Sequence, residues 1–429
     1  MKTARCKAAV LILLLVALQG NASAQRKFLY NDTALYRFYA LLQQADSQVV
    51  RILHLGDSHV QAGFLPAAVA APLKAKFGDA GPGWVFPYNL AGTNGPNGYR
   101  WSSNVRWEAE RAVEKGNSVM ESPSGMFIRS SHSAPVLTFS SNPAMPLRSA
   151  ACFYKGPEMV VTGEHAAAGG KAGEAGAGES KRPYVRGEQA SGESTRPSTE
   201  NGEDAGESSA PSMPENINRT LIEWDTAVSA FSLRWPGAVT FYGAVLANGE
   251  PGVLYHGIGV NGAQFAHYNK PGEAVAAQMK ALAPQLVILS LGTNEAFGGV
   301  SAAQLRQEMG TTVAAIRRHA PEACILFTTP PSGMMKKRQV PYRKKGSRRV
   351  YYRTTYARNP QVAVIREAMV QYCKEKGFAW WDLYQAMPQD KRFARAWSGD
   401  RVHFNAYGYT LQGTLLYEAL EAGYSAFNR

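Results

Sequence analysis

The sequence predicts an α/β protein: a three-layer α/β/α parallel sheet with an inserted β-rich domain. Three observations lead there. From about residue 238 onward, short apolar runs alternate with helical patterns of 10–18 residues, the mark of a parallel sheet covered on both faces. Between about residues 91 and 161 the pattern changes to short aromatic or alternating runs broken by Gly, Pro, Ser and Asn, which read as an all-β unit. A chain of 429 residues is also too long for one ordinary domain.

In chain order, Val49 to Leu55 is a compact apolar strand, followed by a helix through Phe77. Tyr99-Arg100-Trp101, Met126-Phe127-Ile128 and Val136-Leu137-Thr138-Phe139 are strands of the β-rich part. Residues 163–215 turn to Gly, Glu, Ala and Ser, with almost no aliphatics beyond Ala, so burial cannot offset their ordering entropy and disorder is expected. Strands resume at Leu221 to Trp224 and Val228 to Trp235. Val239 to Leu246 and Leu254 to Val260 then read as strands, and Pro271 opens a helix to Ala283. Leu286 to Leu291 is a strand apolar at every position but Ser290, with a helix from Ser301 to His319 behind it. Cys324 to Thr328, a helix from Gln361 to Lys376, a strand from Phe378 to Trp381 and a closing helix from Ala406 to Ala419 complete the pattern. The first α/β piece is too short to hold its own sheet. One α/β domain is therefore expected over 25–90 and 238–429, interrupted by a β-rich domain over 91–237.

The formal charge is +13, from 46 Lys+Arg against 33 Asp+Glu. A hydrophobic share of 45% excludes a disordered or collagen-like chain, while the charge raises a nucleic-acid reading. Its distribution answers that. Residues 1–24 hold three bases and residues 336–358 hold ten, neither with an acid, so the remaining 33 bases balance the 33 acids. The protein carries a basic leader and one basic segment, and is neutral elsewhere.

Lys2, Arg5 and Lys7 precede the apolar run Ala8 to Leu18 and the small-residue site Ala22-Ser23-Ala24. This is the layout of a secretory signal peptide over residues 1–24. The run is too short to span a bilayer, and no later stretch approaches about 18 apolar residues. An exported chain, periplasmic or secreted and with no transmembrane segment once cleaved, is expected. Cys152, Cys324 and Cys373 form neither a disulfide framework nor a zinc spacing, and read as buried small hydrophobes. No metal or organic cofactor is called for.

Four short blocks could carry chemistry. Gly56-Asp57-Ser58 lies where the first strand meets its helix, the edge at which open α/β sheets bind ligands. Alone it is an ordinary turn with an Asp or Ser N-cap. Gly257 to Ala263 closes another strand, where glycine lets backbone approach a substrate. Gly292-Thr293-Asn294-Glu295 follows the apolar strand 286–291. Asp400-Arg401-Val402-His403 sets a carboxylate and an imidazole three residues apart, just before the last helix. A carboxylate there can fix the ring tautomer and support its protonated form, as activation of a serine requires. Ser…Asp…His would be the chain order. Together, in this order and at these places, the blocks are far more specific than any one.

On these blocks the sequence resembles the SGNH (GDSL-type) hydrolase family, over roughly residues 25–90 and 238–429. The resemblance implies a flavodoxin-like sheet with Ser58 as nucleophile, His403 as general base then acid, and Asp400 orienting His403. It implies an oxyanion hole formed by the Ser58 N–H, the Gly262 N–H and the Asn294 side-chain amide, with Gly259 as the competitor of Gly262. The third block departs from the family pattern, ending in Glu295 where Asp is usual. Within the family the nearest likeness is to peptidoglycan O-acetylesterases, which pair this core with an inserted jelly-roll resembling a carbohydrate-binding module. The expected activity is removal of O-acetyl groups from a cell-wall glycan, peptidoglycan first. The alternatives are an acetylxylan or other polysaccharide esterase, a glycan O-acetyltransferase, or a non-catalytic glycan-binding protein. The expected partner is thus a glycan, not nucleic acid.

His59, adjacent to Ser58, is expected to pack behind the site rather than serve as a second base, since neighbouring helical side chains diverge. The basic run 336–358, interleaved with Tyr342, Tyr351, Tyr352 and Tyr356, is expected to be a loop on the catalytic edge, either solvated or holding an anionic polymer. Trp84, Trp101 and Trp107 are expected in the core of the β-rich part, and Trp380-Trp381 in a buried strand.

Overall fold

The computed structural model describes residues 27–114, 116, 122, 124–165, 184–188, 217–270, 279 and 282–429. The expected signal peptide over 1–24, nearly all of the helix expected over 271–283 and most of the tract 163–215 lie outside these residues. Contacts divide the chain into two units. An α/β unit comprises the residues up to Asp79, Pro251–Asn269 and Pro284–Arg429; a β-rich unit comprises Ala80–Glu250 with Lys270–Ala283.

The α/β unit is built on six strands: β1 (Leu29–Tyr30), β2 (Val49–Gly56), β3 (Gly252–Gly259), β4 (Leu286–Ser290), β5 (Cys324–Thr328) and β6 (Ala379–Trp381). Their order is β1-β6-β5-β4-β2-β3. All neighbours are parallel except the edge strand β1, which runs antiparallel to β6. The interior strands are apolar on both faces because helices cover both. Helices α1 (Phe64–Phe77) and α4 (Ala406–Phe427) pack together on one side, and α2 (Ala302–His319) and α3 (Pro360–Lys376) on the other. Alternation along β5 separates the two layers. Leu326 joins the core of Ile52, Leu65 and Leu416, whereas the Phe327 ring meets Tyr372 of α3 at 6.0 Å. The predicted parallel α/β/α sheet is what the chain forms.

Register decides where chemistry can sit. Gly56 of β2 lies opposite both Gly259 of β3 and Ser290 of β4. The carboxyl ends of three adjacent strands are therefore flush, and the segments leaving them emerge side by side. The chain continues from β2 to β3 on one flank and then to β4 on the other, so β2 marks the point where ligands bind in open α/β sheets.

The β-rich unit is a ten-stranded sheet with antiparallel pairings. Its longest strand, Asn218–Arg234, joins the two runs expected separately, with a register shift between Glu223 and Val228. Its core includes Trp101, Trp107 and Trp235, and Trp84 is also buried. Two boundaries need correction. Val239–Ala247, placed by the sequence reading in the α/β part, pairs here with Leu147–Lys155 and with Gly83–Val85. A wholly apolar strand reads alike in a parallel sheet and in a sandwich-like core. Within the tract expected to be disordered, residues 163–165 complete the strand Val160–His165 and Tyr184–Glu188 forms another, both pairing with the long strand. Its unpaired backbone groups supply the order that side-chain burial does not.

The basic segment is likewise not a loop. Met334–Arg343 and Val350–Arg358 form a two-stranded antiparallel hairpin within the α/β unit. Val340, Tyr342, Tyr351, Tyr352, Thr354 and Thr355 are all strand formers, and their signal is masked in the sequence by the lysines and arginines between them.

Candidate active site

Ser58 opens the short helical turn Ser58–Gln61 at the end of β2, with Asp57 as N-cap. The Asp57 Oδ1 accepts the His59 N–H at 2.9 Å, which holds the turn and leaves Ser58 half-exposed above the sheet. His403 Nε2 lies 3.0 Å from Ser58 Oγ. On the other side of the ring, His403 Nδ1 lies 2.7 Å from Asp400 Oδ2. Three residues separated by up to 345 positions thus form one hydrogen-bonded line.

The Asp400 loop is locally over-determined. Asp400 Oδ1 accepts from Ser398 Oγ at 2.8 Å and from the Val402 and His403 N–H groups, each at 2.9 Å. Arg401 adopts φ 62° to allow this turn, a left-handed conformation that costs an ordinary residue about 1–2 kcal/mol. Partial burial acts to raise the Asp400 carboxyl, but its hydrogen bonds from His403, Val402 and Ser398 outweigh it and hold the group well below the usual carboxylate range. Asp400 is therefore an anion whenever His403 could need one.

The two loops beside Ser58 are tied to it and to each other. After β3, the Asn261 N–H donates to Gln61 Oε1 at 2.6 Å and the Val260 N–H to the Gly56 carbonyl at 3.1 Å. Gln264 Nε2 reaches the Asn294 carbonyl at 2.9 Å. Gly262 sits at the exposed crest of this loop with φ +85°, and its N–H donates to no other group among the described residues; nor does that of Ser58. Gly259 has a different duty. A Cβ there would lie 2.2 Å from the Gln61 nitrogen, so glycine is needed for the Ser58 turn to lie against β3. Gly259 thus packs against the Ser58 turn, whereas Gly262 carries an N–H with no acceptor among the described residues.

Asn294 follows β4, and its Nδ2 donates to the Ala263 carbonyl at 2.9 Å and, more distantly, to Asp57 Oδ2 at 3.4 Å. Glu295 is buried. Its Oε1 accepts the Phe265 N–H at 2.8 Å and its Oε2 the Gly292 N–H at 2.9 Å. Burial raises its carboxyl to about 7 despite these bonds. The longer side chain in place of the usual Asp spans two loops. Sequence reasoning named the Glu but not this role, and it missed Gln61 and Gln264. Backbone donors leave no pattern in a sequence by which such partners could be found.

His59 is buried, with its ring centroid 6.1 Å from that of His403, 5.6 Å from Phe404 and 5.1 Å from Tyr409. It packs behind His403, as expected. Beneath the site runs a buried polar chain across four neighbouring strands. His54 Nδ1 meets Tyr255 Oη at 2.7 Å, His54 Nε2 meets Ser290 Oγ at 2.6 Å, and Ser290 Oγ accepts from Thr328 Oγ1 at 2.8 Å. Burial lowers the His54 pKa to about 3, so this ring is a neutral structural link. Among the described residues no group of His, Cys, Asp and Glu is arranged to hold a metal, and no helix is long and apolar enough to cross a membrane.

Comparison with known proteins bears on the fold and family. A family model for the GDSL-like Lipase/Acylhydrolase family matches residues 225–411, a span that holds Gly262, Asn294, Asp400 and His403 but not Ser58. A solved structure described as "Peptidoglycan O-acetylesterase in action, 5 min" superposes with a TM-score of 0.65 at 19% identity, covering 92% of this chain and 96% of its own. A lipase/acylhydrolase from Enterococcus faecalis aligns at 19% identity over 39% of this chain and 74% of its own, with a TM-score of 0.29. No curated protein sequence matches. In sequence motifs and in fold, the chain resembles the SGNH (GDSL-type) hydrolases.

Proposed function

We propose that the chain is an exported serine esterase that removes O-acetyl groups from a cell-wall glycan, foremost peptidoglycan. The observation that carries this is the line Ser58 Oγ–His403 Nε2 at 3.0 Å and His403 Nδ1–Asp400 Oδ2 at 2.7 Å, at the flush ends of three strands. The whole-length likeness in fold to a structure described as a peptidoglycan O-acetylesterase supports the choice of substrate. The leader over 1–24 supports export.

In this reading His403 Nε2 takes the Ser58 proton as Oγ attacks the acetyl carbonyl. The carbonyl oxygen becomes an oxyanion facing the unpartnered N–H groups of Ser58 and Gly262 and the Asn294 amide, which gives up its bond to Ala263. Such donors are each worth roughly 10²–10³ in rate where one has been removed elsewhere. Collapse breaks the ester bond, and His403 passes its proton to the departing sugar oxygen. Water, deprotonated by His403, then attacks the acetyl-Ser58 carbonyl, releasing acetate and restoring the Ser58 hydroxyl. Asp400 holds the ring in the tautomer that leaves Nε2 free as base.

The test is acetate release from O-acetylated peptidoglycan and from acetylated xylan, comparing the natural chain with Ser58→Ala. Release from peptidoglycan that Ser58→Ala abolishes is expected. Release from xylan alone would move the substrate, and release from neither would overturn the esterase reading.

A further inference from the structure

The basic hairpin 334–358 has a geometry that its composition alone does not convey. It carries ten bases and no acid over 336–358, and none of the ten is in an ion pair among the described residues. Exposed lysines and arginines usually find scattered acids on the same surface; here the charge is left uncompensated. Strands of nine or ten residues extend about 30 Å, so the cations are spread along a rod, not gathered around a pocket.

Its aromatic residues are ordered on that rod. Tyr342 and Tyr351 are cross-strand partners with ring centroids 5.7 Å apart. Lys344 Nζ lies 4.9 Å from the Tyr351 ring centroid, a cation–π contact that fixes where the charge is presented. On the opposite face, Tyr352 is 63% exposed. The tip, Lys344 to Arg349, contains no apolar side chain that could wedge into a bilayer.

The root is tied to the catalytic loop. The Met334 N–H donates to the Arg401 carbonyl at 2.9 Å, and Tyr356 Oη donates to the Gly399 carbonyl at 3.1 Å. These two acceptors flank Asp400, so the root of the hairpin is anchored at the loop that carries His403.

We propose that the hairpin 334–358 is a binding arm for a polyanionic strand with carboxylates repeated along it, the same polymer whose esters meet Ser58. A single small anion needs donors converging on one point, whereas an open ladder of cations and flat rings suits a long ligand with spaced charges. That this polymer is the esterase substrate, a glycan bearing acidic peptides, rests on the function proposed above.

The experiment uses the full chain carrying Ser58→Ala, so that binding is read without turnover. Co-sedimentation is measured with de-O-acetylated peptidoglycan sacculi, with the same sacculi after amidation of their carboxylates, and with vesicles of anionic phospholipid. The comparison is with a chain that also carries Lys344→Gln, Lys345→Gln, Arg348→Gln and Arg349→Gln. Retention on untreated sacculi is expected to fall about tenfold on amidation, on the four substitutions, or on raising salt from 50 to 300 mM, as screening of a multi-charge contact requires. In a chain with Ser58 intact, the four substitutions should raise KM on O-acetylated peptidoglycan by a similar factor and leave hydrolysis of p-nitrophenyl acetate within twofold. Equal retention of the two chains, indifference to amidation, or a preference for vesicles over sacculi would each overturn the arm. The salt response of the unsubstituted chain needs no variant and guards against misfolding. Acetate release distinguishes the two proposals. Arm-dependent retention without acetate release would sink the esterase and spare the arm, and acetate release with unchanged retention would do the reverse.

Discussion

Glu295 holds the backbone of Phe265: its Oε1 accepts that N–H at 2.8 Å, while its Oε2 holds the N–H of Gly292 at 2.9 Å. One carboxylate therefore braces the loop that presents Gly262 against the turn that presents Asn294. Glu295→Gln puts an amide donor against one of these N–H groups and should cost about 1–3 kcal/mol of stability. Loosened donors should lower kcat by about tenfold or more with little change in KM. The pH dependence has a definite sign. Burial raises the carboxyl from 4.5 to about 7, so between those values the folded chain holds a proton that the unfolded chain releases. Stability from this group is present below pH 4.5 and is lost as pH rises through 7. The margin by which the natural chain outmelts Glu295→Gln should therefore be widest at pH 5 and narrow toward pH 8.

Asp400 remains ionised through the acid range because its hydrogen bonds overcome its partial burial. Asp400→Asn removes that charge at every pH and lets His403 take the wrong tautomer. A drop of about 10⁴ in kcat is expected, as where the same change was made in another Ser-His-Asp enzyme. Acetate-release assays at pH 8 check this, and a variant within about tenfold of the natural rate would mean that Asp400 does not position His403.

Gly262 and Asn294 should separate by what they lose. Asn294→Ala removes a side-chain donor and should lower kcat by roughly 10²–10³ while melting within a few degrees of the natural chain. Gly262→Ala meets no atom within 4 Å, yet places a Cβ at φ +85°, costing about 1–2 kcal/mol. Its damage should appear in both melting temperature and rate.

His59 faces His403, Phe404 and Tyr409 from the buried side. As a packing residue it tolerates a ring of similar shape, so His59→Phe should keep kcat within about tenfold. General acid–base groups contribute about 10²–10⁴, and a loss of that size in steady-state assays would make His59 a second base.

His256 is wholly buried in β3, and neither ring nitrogen has a hydrogen-bond partner among the described residues. Burial, reinforced by Arg51 and Lys74, lowers its pKa from 6.5 to about 3. Unfolding therefore takes up a proton between those values, and the stability it contributes is lost as pH falls from 6.5 toward 3. His256→Leu removes that proton uptake, about 1.4 kcal/mol per pH unit. Denaturant titrations at pH 4.5 and pH 7 should show the variant gaining most at the lower pH.

The site was legible in the sequence because its parts are short and local. Gly56-Asp57-Ser58 and Asp400 to His403 each lie within four residues, the first where an apolar strand meets a helix and the second just before the last helix. The longer strands of the parallel sheet were legible for the same reason, being mostly apolar stretches of five to eight residues. What escaped depends on partners far along the chain. Val239–Ala247 has the composition of an α/β strand and only its pairing with Leu147–Lys155 assigns it to the other sheet. The hairpin 334–358 was hidden because charge dominates its composition, while its register is a property of two strands together. Gln61 and Glu295 act on backbone N–H groups, which every non-proline residue has.

The order of strands also dictates an order of events during synthesis. β2, whose end bears Ser58, lies between β3 and β4, and those strands end about 200 and 235 residues later, at Gly259 and Ser290. Until the ribosome has passed them, the apolar segment Val49–Gly56 has neither neighbour and both its edges are open. At about 5–20 residues per second, that interval lasts tens of seconds at the slower rate. Ser58 and His403 cannot meet until synthesis has passed residue 403. Ser58 thus waits for its hydrogen-bond partner His403 across some 345 residues of further synthesis.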